Sequence, residues 1–318
     1  MESGTNKFDI ICPLCGSTSI NKKEEFPSDV LINLYKKTYN LDISYLAKNY
    51  ELISYYHCKN CFLRYFYPDI GGDDKFYSLL QKKDNYYFKD KFEYQVVKKY
   101  FKKDKDVLEI GAGKGAFSKL INYKTYIGIE LNESAIKLAK KEGVNLFYGS
   151  IHDFISKSEN HEKYDIVCTF QVLEHVFLKD LNLFINSSIK ALRKGGKMII
   201  AVPSDSSFLG ETPNSILNLP PHHLTRWSDD VFYEMEKIYN IKLVDLIFEP
   251  LKEINYHPFI LNKFYKLLHY KRPIIYNNTP LFEKVINRCL RITPFVIKKR
   301  IINYFKPRGH SIIAVFEK

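Results

Sequence analysis

An α/β architecture with a doubly wound, largely parallel sheet is predicted for this 318-residue chain by three observations. Short apolar runs near residues 106–110, 126–130, 145–148, 164–170 and 197–202 alternate with helical stretches, the pattern of a sheet covered on both faces. A glycine-rich turn, Gly111-Ala112-Gly113-Lys114-Gly115, directly follows the first run. An acid, Glu130, ends the second run about nineteen residues after Gly111.

Val107 to Ile110 reads as a buried parallel strand, and the three glycines turn the chain into a helix beginning near Phe117. Glycine is required where backbone takes φ > 0 or approaches a ligand closely, so this turn lets a flat cofactor lie on the strand's carboxyl end. The carboxylate of Glu130, at the end of Tyr126-Ile-Gly-Ile-Glu130, can accept two hydrogen bonds from a ribose diol. Turn and acid together specify a nucleoside-cofactor site. Ile241 to Phe248 supplies a sixth strand and Gly309 to Phe316 a seventh. About sixty residues separate them, rich in aromatics and bases, and Phe259–His269 and Phe282–Leu290 read as amphipathic helices. A helical cap over an acceptor is the leading reading of that insertion, with a homodimer contact and peripheral membrane contact as alternatives.

Six cysteines divide into four and two. Cys12-Pro-Leu-Cys15 and Cys58-Lys-Asn-Cys61 are paired C-x-x-C knuckles whose thiolates can converge on one tetrahedral zinc. Four thiolates leave no open coordination position, so the metal is structural and His57 is not needed. Phe62-Leu-Arg-Tyr-Phe66 reads as a strand leaving the second knuckle, and the spacing of Leu31, Leu34, Tyr35, Leu41 and Leu46 suggests helices between the knuckles. Cys168 and Cys289 are expected to be packing residues. The expected organisation is a zinc-ribbon module over 1–75, a helical lead-in over 76–104, a core over 105–248 plus 309–318, and the cap insertion over 249–308.

The net charge of +12 raises the question of a polyanionic partner, but the lysines are spread widely with only short runs, so nucleic acid is not favoured. Hydrophobic content of 45% and charged content of 26% exclude a disordered chain. No apolar stretch approaches the roughly 18–20 residues of a spanning helix, and the first residues lack a signal-peptide centre, so a cytoplasmic location is expected.

The turn can be read as G-x-G-x-x-A, a dinucleotide fingerprint, or as E-x-G-x-G-x-G starting at Glu109. The second form resembles the first motif of class I S-adenosylmethionine-dependent methyltransferases. Lys163-Tyr-Asp-Ile-Val-Cys-Thr-Phe-Gln-Val-Leu-Glu-His-Val176 resembles that family's fourth strand and following loop, and Ala191 to Pro203 its helix, glycine turn and fifth strand. Pro220-Pro-His-His-Leu-Thr-Arg-Trp-Ser228 resembles a loop of one branch linked to sugar and surface-polysaccharide synthesis. The resemblance spans about residues 90–250 and the last ten. It implies a Rossmann-like, seven-stranded sheet whose last strand is antiparallel, with S-adenosylmethionine as cofactor. It further implies cofactor contacts from Glu109, Gly111, Ala112, Gly113, Gly115, Glu130, Leu131, Ser150, Ile151, Asp153 and Gln171. Ser150 stands where many relatives place an acid for the adenine amine, leaving Asp153 or a backbone carbonyl for that role.

Methyl transfer to a hydroxyl needs alignment and proton removal, and a placed base adds roughly 10²–10⁴-fold. His175, His222 and His223 come from two loops that this fold brings to one cleft, and they are the candidate catalytic residues. A histidine base predicts a rate that falls as pH drops through about 6.5, and Asp205 is the fallback acid. Related small-RNA and quinone-precursor methyltransferases carry Glu-x-x-Glu-His here with a divalent ion. Gln171 replaces the first carboxylate in this chain, and a neutral amide is a weak ligand for a hard cation, so no acceptor-site metal is expected. Glu174 is expected to orient His175 or cap a helix. The leading function is methyl transfer to a hydroxyl of a small acceptor such as a sugar, nucleotide-sugar or surface glycan. An RNA or protein methyltransferase, a sugar C-methyltransferase and a non-catalytic scaffold are the alternatives.

Overall fold

A computed structural model describes residues 10–80, 82, 91–276 and 281–318. Part of the expected helical lead-in, residues 81 and 83–90, lies outside the described residues, as do the first nine residues of the expected zinc-ribbon module. The chain opens with the first cysteine knuckle and then β1 (Ile20–Pro27). Two helices, α1 (Ser28–Tyr39) and α2 (Ser44–Ala47), fill the interval between the knuckles. They bury Leu31, Tyr35, Leu41 and Ala47 with Phe26 and Ile53, as the apolar spacing suggests. Strands β2 (Leu52–Cys58) and β3 (Arg64–Tyr67) carry the second knuckle between them. Helices α3 (Asp74–Leu80) and α4 (Phe92–Val97) lead towards the core.

The core begins at β4 (Asp106–Ile110), followed by β5 (Thr125–Glu130), α5 (Glu133–Lys141), β6 (Leu146–Tyr148), α6 (Ile151–Ile155) and β7 (Tyr164–Phe170). Helix α5 starts because the Asn132 side chain accepts from the Ala135 N–H, and Glu133 and Lys140–Lys141 complement its dipole. Helix α7 (Leu181–Ala191) and β8 (Leu192–Pro203) come next, and then the short β9 (Thr225–Arg226), α8 (Asp229–Tyr239) and β10 (Lys242–Pro250). Three helices, α9 (Tyr256–Leu267), α10 (Leu281–Ile292) and α11 (Phe295–Phe305), precede β11 (Arg308–Glu317). The third of these has no counterpart in the sequence reading.

Seven strands form one sheet in the order β10-β11-β8-β7-β4-β5-β6. Only β11 runs antiparallel to its neighbours, β8 and β10, and the other pairings are parallel. The fold is therefore the predicted seven-stranded, doubly wound α/β sheet whose last strand is antiparallel. Side chains alternate between two cores across it. Met198, Ile200 and Val202 join the face covered by α6, α7 and α8, while Ile199 and Ala201 join the face holding Val97, Phe101 and Phe117. Covering both faces is why these strands read as continuous apolar runs.

The expected helix near Phe117 is a single 3₁₀ turn, Phe117–Leu120. Residues 111–124 form the whole connection from β4 to β5, and the glycine turn consumes its first part, leaving no length for a helix. Phe117 is fully buried against Tyr94, Phe101 and Phe170 and anchors that short connection. Cys168 is buried as expected, but Cys289 is exposed, because it lies off the stripe by which α10 meets its neighbours.

A second sheet, β1-β2-β3-β9, is antiparallel. Its last strand comes from the segment after Pro220-Pro-His-His, where Tyr65 pairs with Thr225 and Arg64 with Arg226. The N-terminal module and the expected acceptor loop thus share one sheet.

Candidate active site

The strand order reverses at β4, which has β5 on one side and β7 on the other. A crevice forms at such a point at the carboxyl ends of the strands. The three glycines there serve three different needs. Gly111 has φ +73°, and a Cβ on it would lie 2.3 Å from Val172 Cγ2. Gly115 has φ +73° and meets Val144 in the same way, at 2.5 Å. Gly113 has φ +57° but faces open space. Two glycines therefore permit close packing, and the middle one leaves its backbone uncovered by side chains.

Glu130 stands beside this bare backbone. Its Oε2 accepts from Gly113 N–H at 2.7 Å, and its Oε1 accepts from Leu131 and Asn132 N–H at 2.8 Å. Three of a carboxylate's roughly four lone-pair positions are occupied, so Oε2 keeps one for a hydroxyl. The residue shapes the loop as well as offering itself to a ligand. Ala112 is buried, with its N–H on the Ile129 carbonyl. Leu131 is 68% exposed at the crevice rim.

Glu109 sits beneath the loop, fully buried, and accepts from the Tyr126 hydroxyl. Burial pushes its pKa up to about 8, against the pull of that hydrogen bond. Ser150 and Asp153 form a reciprocal capping box at the start of α6: Asp153 Oδ2 accepts from Ser150 N–H and Oγ–H, while Ser150 Oγ accepts from Asp153 N–H. Those hydrogen bonds hold the Asp153 carboxyl below its ordinary range. Ile151 is buried behind them.

Gln171 follows β7 with φ +59°, an uncommon conformation for a residue with a side chain. Its amide donates to Glu93 Oε1 and Ser311 Oγ, each at 3.4 Å, so it points towards α4 and β11. The following Val172 fills the space above Gly111 and sets the next turn, Leu173–His175, against the glycine loop.

This turn meets the Pro-Pro-His-His segment. The rings of His175 and His222 are 4.6 Å apart, those of His175 and His223 4.9 Å, and those of His222 and His223 4.5 Å. All three predicted histidines are therefore in one cluster. His175 Nδ1–H donates to the His222 carbonyl and His222 Nδ1–H to the Leu217 carbonyl, which leaves Nε2 unprotonated in each neutral ring. Tyr77 of α3 covers the cluster, with its hydroxyl 3.3 Å from His175 Nδ1. Burial lowers the pKa of His175 to about 4 and holds His222 and His223 well below their ordinary value.

Glu174 lies under these rings, 3.8 Å from His175 Nε2 and 3.9 Å from His223 Nε2. Both of its carboxyl oxygens lack a hydrogen-bond partner among the described residues, and burial raises its pKa to about 8. It caps no helix. One ligand atom from each histidine lies within 4.8 Å of the others, so the three could hold a metal ion.

Asp205, the fallback base, is not available for that role. It is buried and accepts from Arg226 Nε at 2.6 Å and from Arg64. Burial works to raise its pKa, but Arg226 and Arg64 outweigh it and hold the carboxyl below its ordinary range. Sequence reasoning missed this triad because its members are far apart in the chain, and only the Arg in Leu-Thr-Arg-Trp hinted at it.

The four knuckle cysteines converge. Cys12 and Cys61 sulfurs are 3.4 Å apart and those of Cys15 and Cys58 3.6 Å, with all four within 4.8 Å of one another. A tetrahedral zinc with Zn–S of about 2.3 Å sets sulfurs roughly 3.8 Å apart, so the cluster has the right size. The Leu14 carbonyl between the first two cysteines accepts from Asn182 of α7 and Tyr239 of α8, each at 3.4 Å, and docks the knuckle on the core.

A family model described as methyltransferase domain matches residues 80–245. An uncharacterised protein of Methanocaldococcus jannaschii is 32% identical over 121 residues, covering 38% of this chain and 55% of that protein. The chain thus spans little more than half the length of that relative. A ubiquinone biosynthesis O-methyltransferase of Pseudomonas savastanoi pv. phaseolicola is 25% identical over 169 residues, 46% of this chain and 70% of its own length. A SAM-dependent methyltransferase structure from Archaeoglobus fulgidus covers 71% of this chain and 94% of its own at 19% identity, with a TM-score of 0.46.

The buried histidines and Glu174 set opposite limbs of the stability profile. His175 has a folded pKa of about 4 against an ordinary 6.5, so its contribution is fully present above about 6.5 and is lost as pH falls towards 4. Glu174 has a folded pKa of about 8 against an ordinary 4.5, so its contribution is present below about 4.5 and is lost as pH rises through 8. Urea midpoints measured across this range should show His175→Asn flattening the acid limb and Glu174→Gln the alkaline limb. Parental slopes in both variants would remove these residues as the cause.

Proposed function

The chain belongs to the methyltransferase-domain family, and from that premise we propose that it moves a methyl group from S-adenosylmethionine to a hydroxyl of a small acceptor, a sugar, nucleotide-sugar or surface glycan. One observation carries this reading. Val172 seats the Glu174–His175 turn directly against Gly111, so the glycine loop and the histidine cluster face one crevice. The open backbone at Gly113 and the remaining lone pair of Glu130 fit a ribose hydroxyl. Oxygen as the methylated atom is supported by the relative named as an O-methyltransferase. The sugar class is supported by the Pro-Pro-His-His-Leu-Thr-Arg-Trp segment, whose histidines pack against His175. Mass spectrometry of reactions with panels of sugar nucleotides, glycans and phenols tests the acceptor class through a gain of one methyl group.

S-adenosylmethionine supplies an electrophilic methyl on a sulfonium, and the chain's residues supply binding, orientation and proton removal. Gly113 and Glu130 hold the nucleoside end. His175, neutral and with Nε2 unprotonated, accepts the acceptor's proton, while His222 fixes the His175 ring through its carbonyl. Calorimetry should show S-adenosylhomocysteine binding to the parent protein and at least about tenfold weaker binding to Glu130→Ala, which loses a charge-assisted hydrogen bond of roughly 1.5–3 kcal/mol. Tight NADH binding with no response to S-adenosylhomocysteine would overturn the assignment.

Zinc in the four-cysteine cluster is part of the same proposal. Purified protein should contain about one zinc per chain. Cys12→Ser or Cys58→Ser should lose it and melt at a lower temperature, because structural zinc contributes folding free energy directly. Reduced, freshly purified protein without metal would refute this.

A second reading is favoured by the three imidazoles, one ligand atom of each lying within 4.8 Å of the others, beside the buried, unpartnered carboxyl of Glu174 near His175 and His223. His175, His222 and His223 would hold a divalent ion, which when bound would acidify an acceptor hydroxyl. Turnover separates the two. If His175 is the base, His175→Asn should lose roughly 10²–10⁴-fold and chelators should have no effect on the acceptor step. The parental rate should then fall only as pH drops through about 4, not 6.5, because the ring stays neutral until then. A second metal equivalent, retained in Cys58→Ser and lost in His223→Asn, would favour the metal reading instead.

A further inference from the structure

The insertion before β11 has an inner core of its own, in which Phe259, Ile260, Leu290 and Ile302 pack with Phe208 and Leu251. Helix α10 contributes through one stripe, Glu283, Ile286 and Leu290. At 100° per residue, Leu281, Val285 and Ile292 form a second apolar stripe on the opposite side. Those three are 78%, 57% and 80% exposed. A helix with one seated apolar stripe would need only the first, so the outer one is unexplained by the fold of a single chain.

Helix α11 also exposes Val296 and Ile297. The charge around it has one sign. Lys284, Arg288, Arg291, Lys299 and Arg300 are exposed, and among the described residues none of them is ion-paired. The one acid in α10 and α11, Glu283, is turned inward and accepts from the Tyr276 hydroxyl at 2.8 and 2.9 Å. The outer face therefore combines bare aliphatic side chains with bases and shows no exposed carboxylate.

We propose that the outer face of α10 docks on an anionic lipid bilayer. Charge selects this occupant over the others. A symmetric contact between two copies would bring the same bases together, which is unfavourable. A nucleic acid would neutralise the bases but leave the aliphatic stripe in water. A bilayer surface with anionic headgroups covers both, taking Leu281, Val285 and Ile292 into the acyl boundary and the bases at the phosphates. No described helix is long and apolar enough to cross a membrane, so the contact lies in the plane of the surface.

The test is co-sedimentation of the full chain with phosphatidylcholine vesicles and with vesicles that also contain phosphatidylglycerol. Binding should require phosphatidylglycerol and weaken as salt rises. Arg288→Glu/Arg291→Glu should lower partitioning at least about tenfold, and Val285→Ser/Ile292→Ser should lower it at unchanged charge. All four side chains are exposed, so the variants should keep parental S-adenosylhomocysteine affinity and melting temperature, which separates this surface from the cofactor site. Absent binding to either vesicle, or binding indifferent to lipid charge, would overturn the proposal. So would light scattering that shows a dimer abolished by the same substitutions, or an oligonucleotide bound in place of vesicles.

Discussion

The buried ion pair between Asp205 and the guanidiniums of Arg226 and Arg64 holds three parts of this molecule in register. Asp205 follows β8 of the large sheet, Arg226 lies in β9, and Arg64 lies in β3 of the N-terminal module. The Asp205 and Arg226 side chains are 1% and 3% exposed, so neither charge is solvated if the other is removed. Such a loss costs about 3–5 kcal/mol, far more than a surface pair contributes. Arg226 also donates to the Gly210 carbonyl at 2.9 Å, and Tyr55 lies under it at 5.4 Å. Because His222 and His223 directly precede β9, this anchor also fixes where the imidazoles stand. The four-cysteine module is in this sense docked beside the histidines, and α3, which follows it, lays Tyr77 against His175.

The parts legible in the sequence are those set by local rules. Strands buried on both faces have few acceptable residues, so the runs from β4 to β8 were readable with errors of a few residues. The glycine turn was readable because positive φ at Gly111, Gly113 and Gly115 admits little else. The convergence of His175 with His222 and His223 follows from fold topology, since both loops leave strands at the same end. What was not readable depends on distant partners. Nothing near Thr225 marks it as the partner of Tyr65, and nothing near Asp205 announces Arg64. Helix α11 was missed because Pro294 and the basic run of Lys298 to Arg300 hide a short periodicity.

Burial then gives similar acids dissimilar tasks. Glu109, Glu130 and Glu174 are all carboxylates near one crevice, and the sequence marks Glu130 by its place at a strand end but does not show how burial treats the other two. Glu130 accepts from three backbone N–H groups, whereas Glu109 and Glu174 are enclosed and favour the protonated form. Desolvation decides between these outcomes because a buried charge costs several kcal/mol without full pairing. The same term keeps the three histidines neutral, which is the condition for accepting a proton or ligating a cation.

The shared sheet also has a consequence during synthesis. Strand β3 ends at Tyr67, but its edge partner, Thr225–Arg226, emerges from the ribosome about 160 residues later. At roughly 5–20 residues per second, the nascent module waits about 8–30 s with one edge uncovered. An open strand edge is a template for pairing with other chains. For that interval Arg64, with no Asp205 yet made, leaves a charge on the waiting edge, where it would deter a neighbouring nascent chain from pairing. The residue that later locks the module to the core thus also guards it before the core exists.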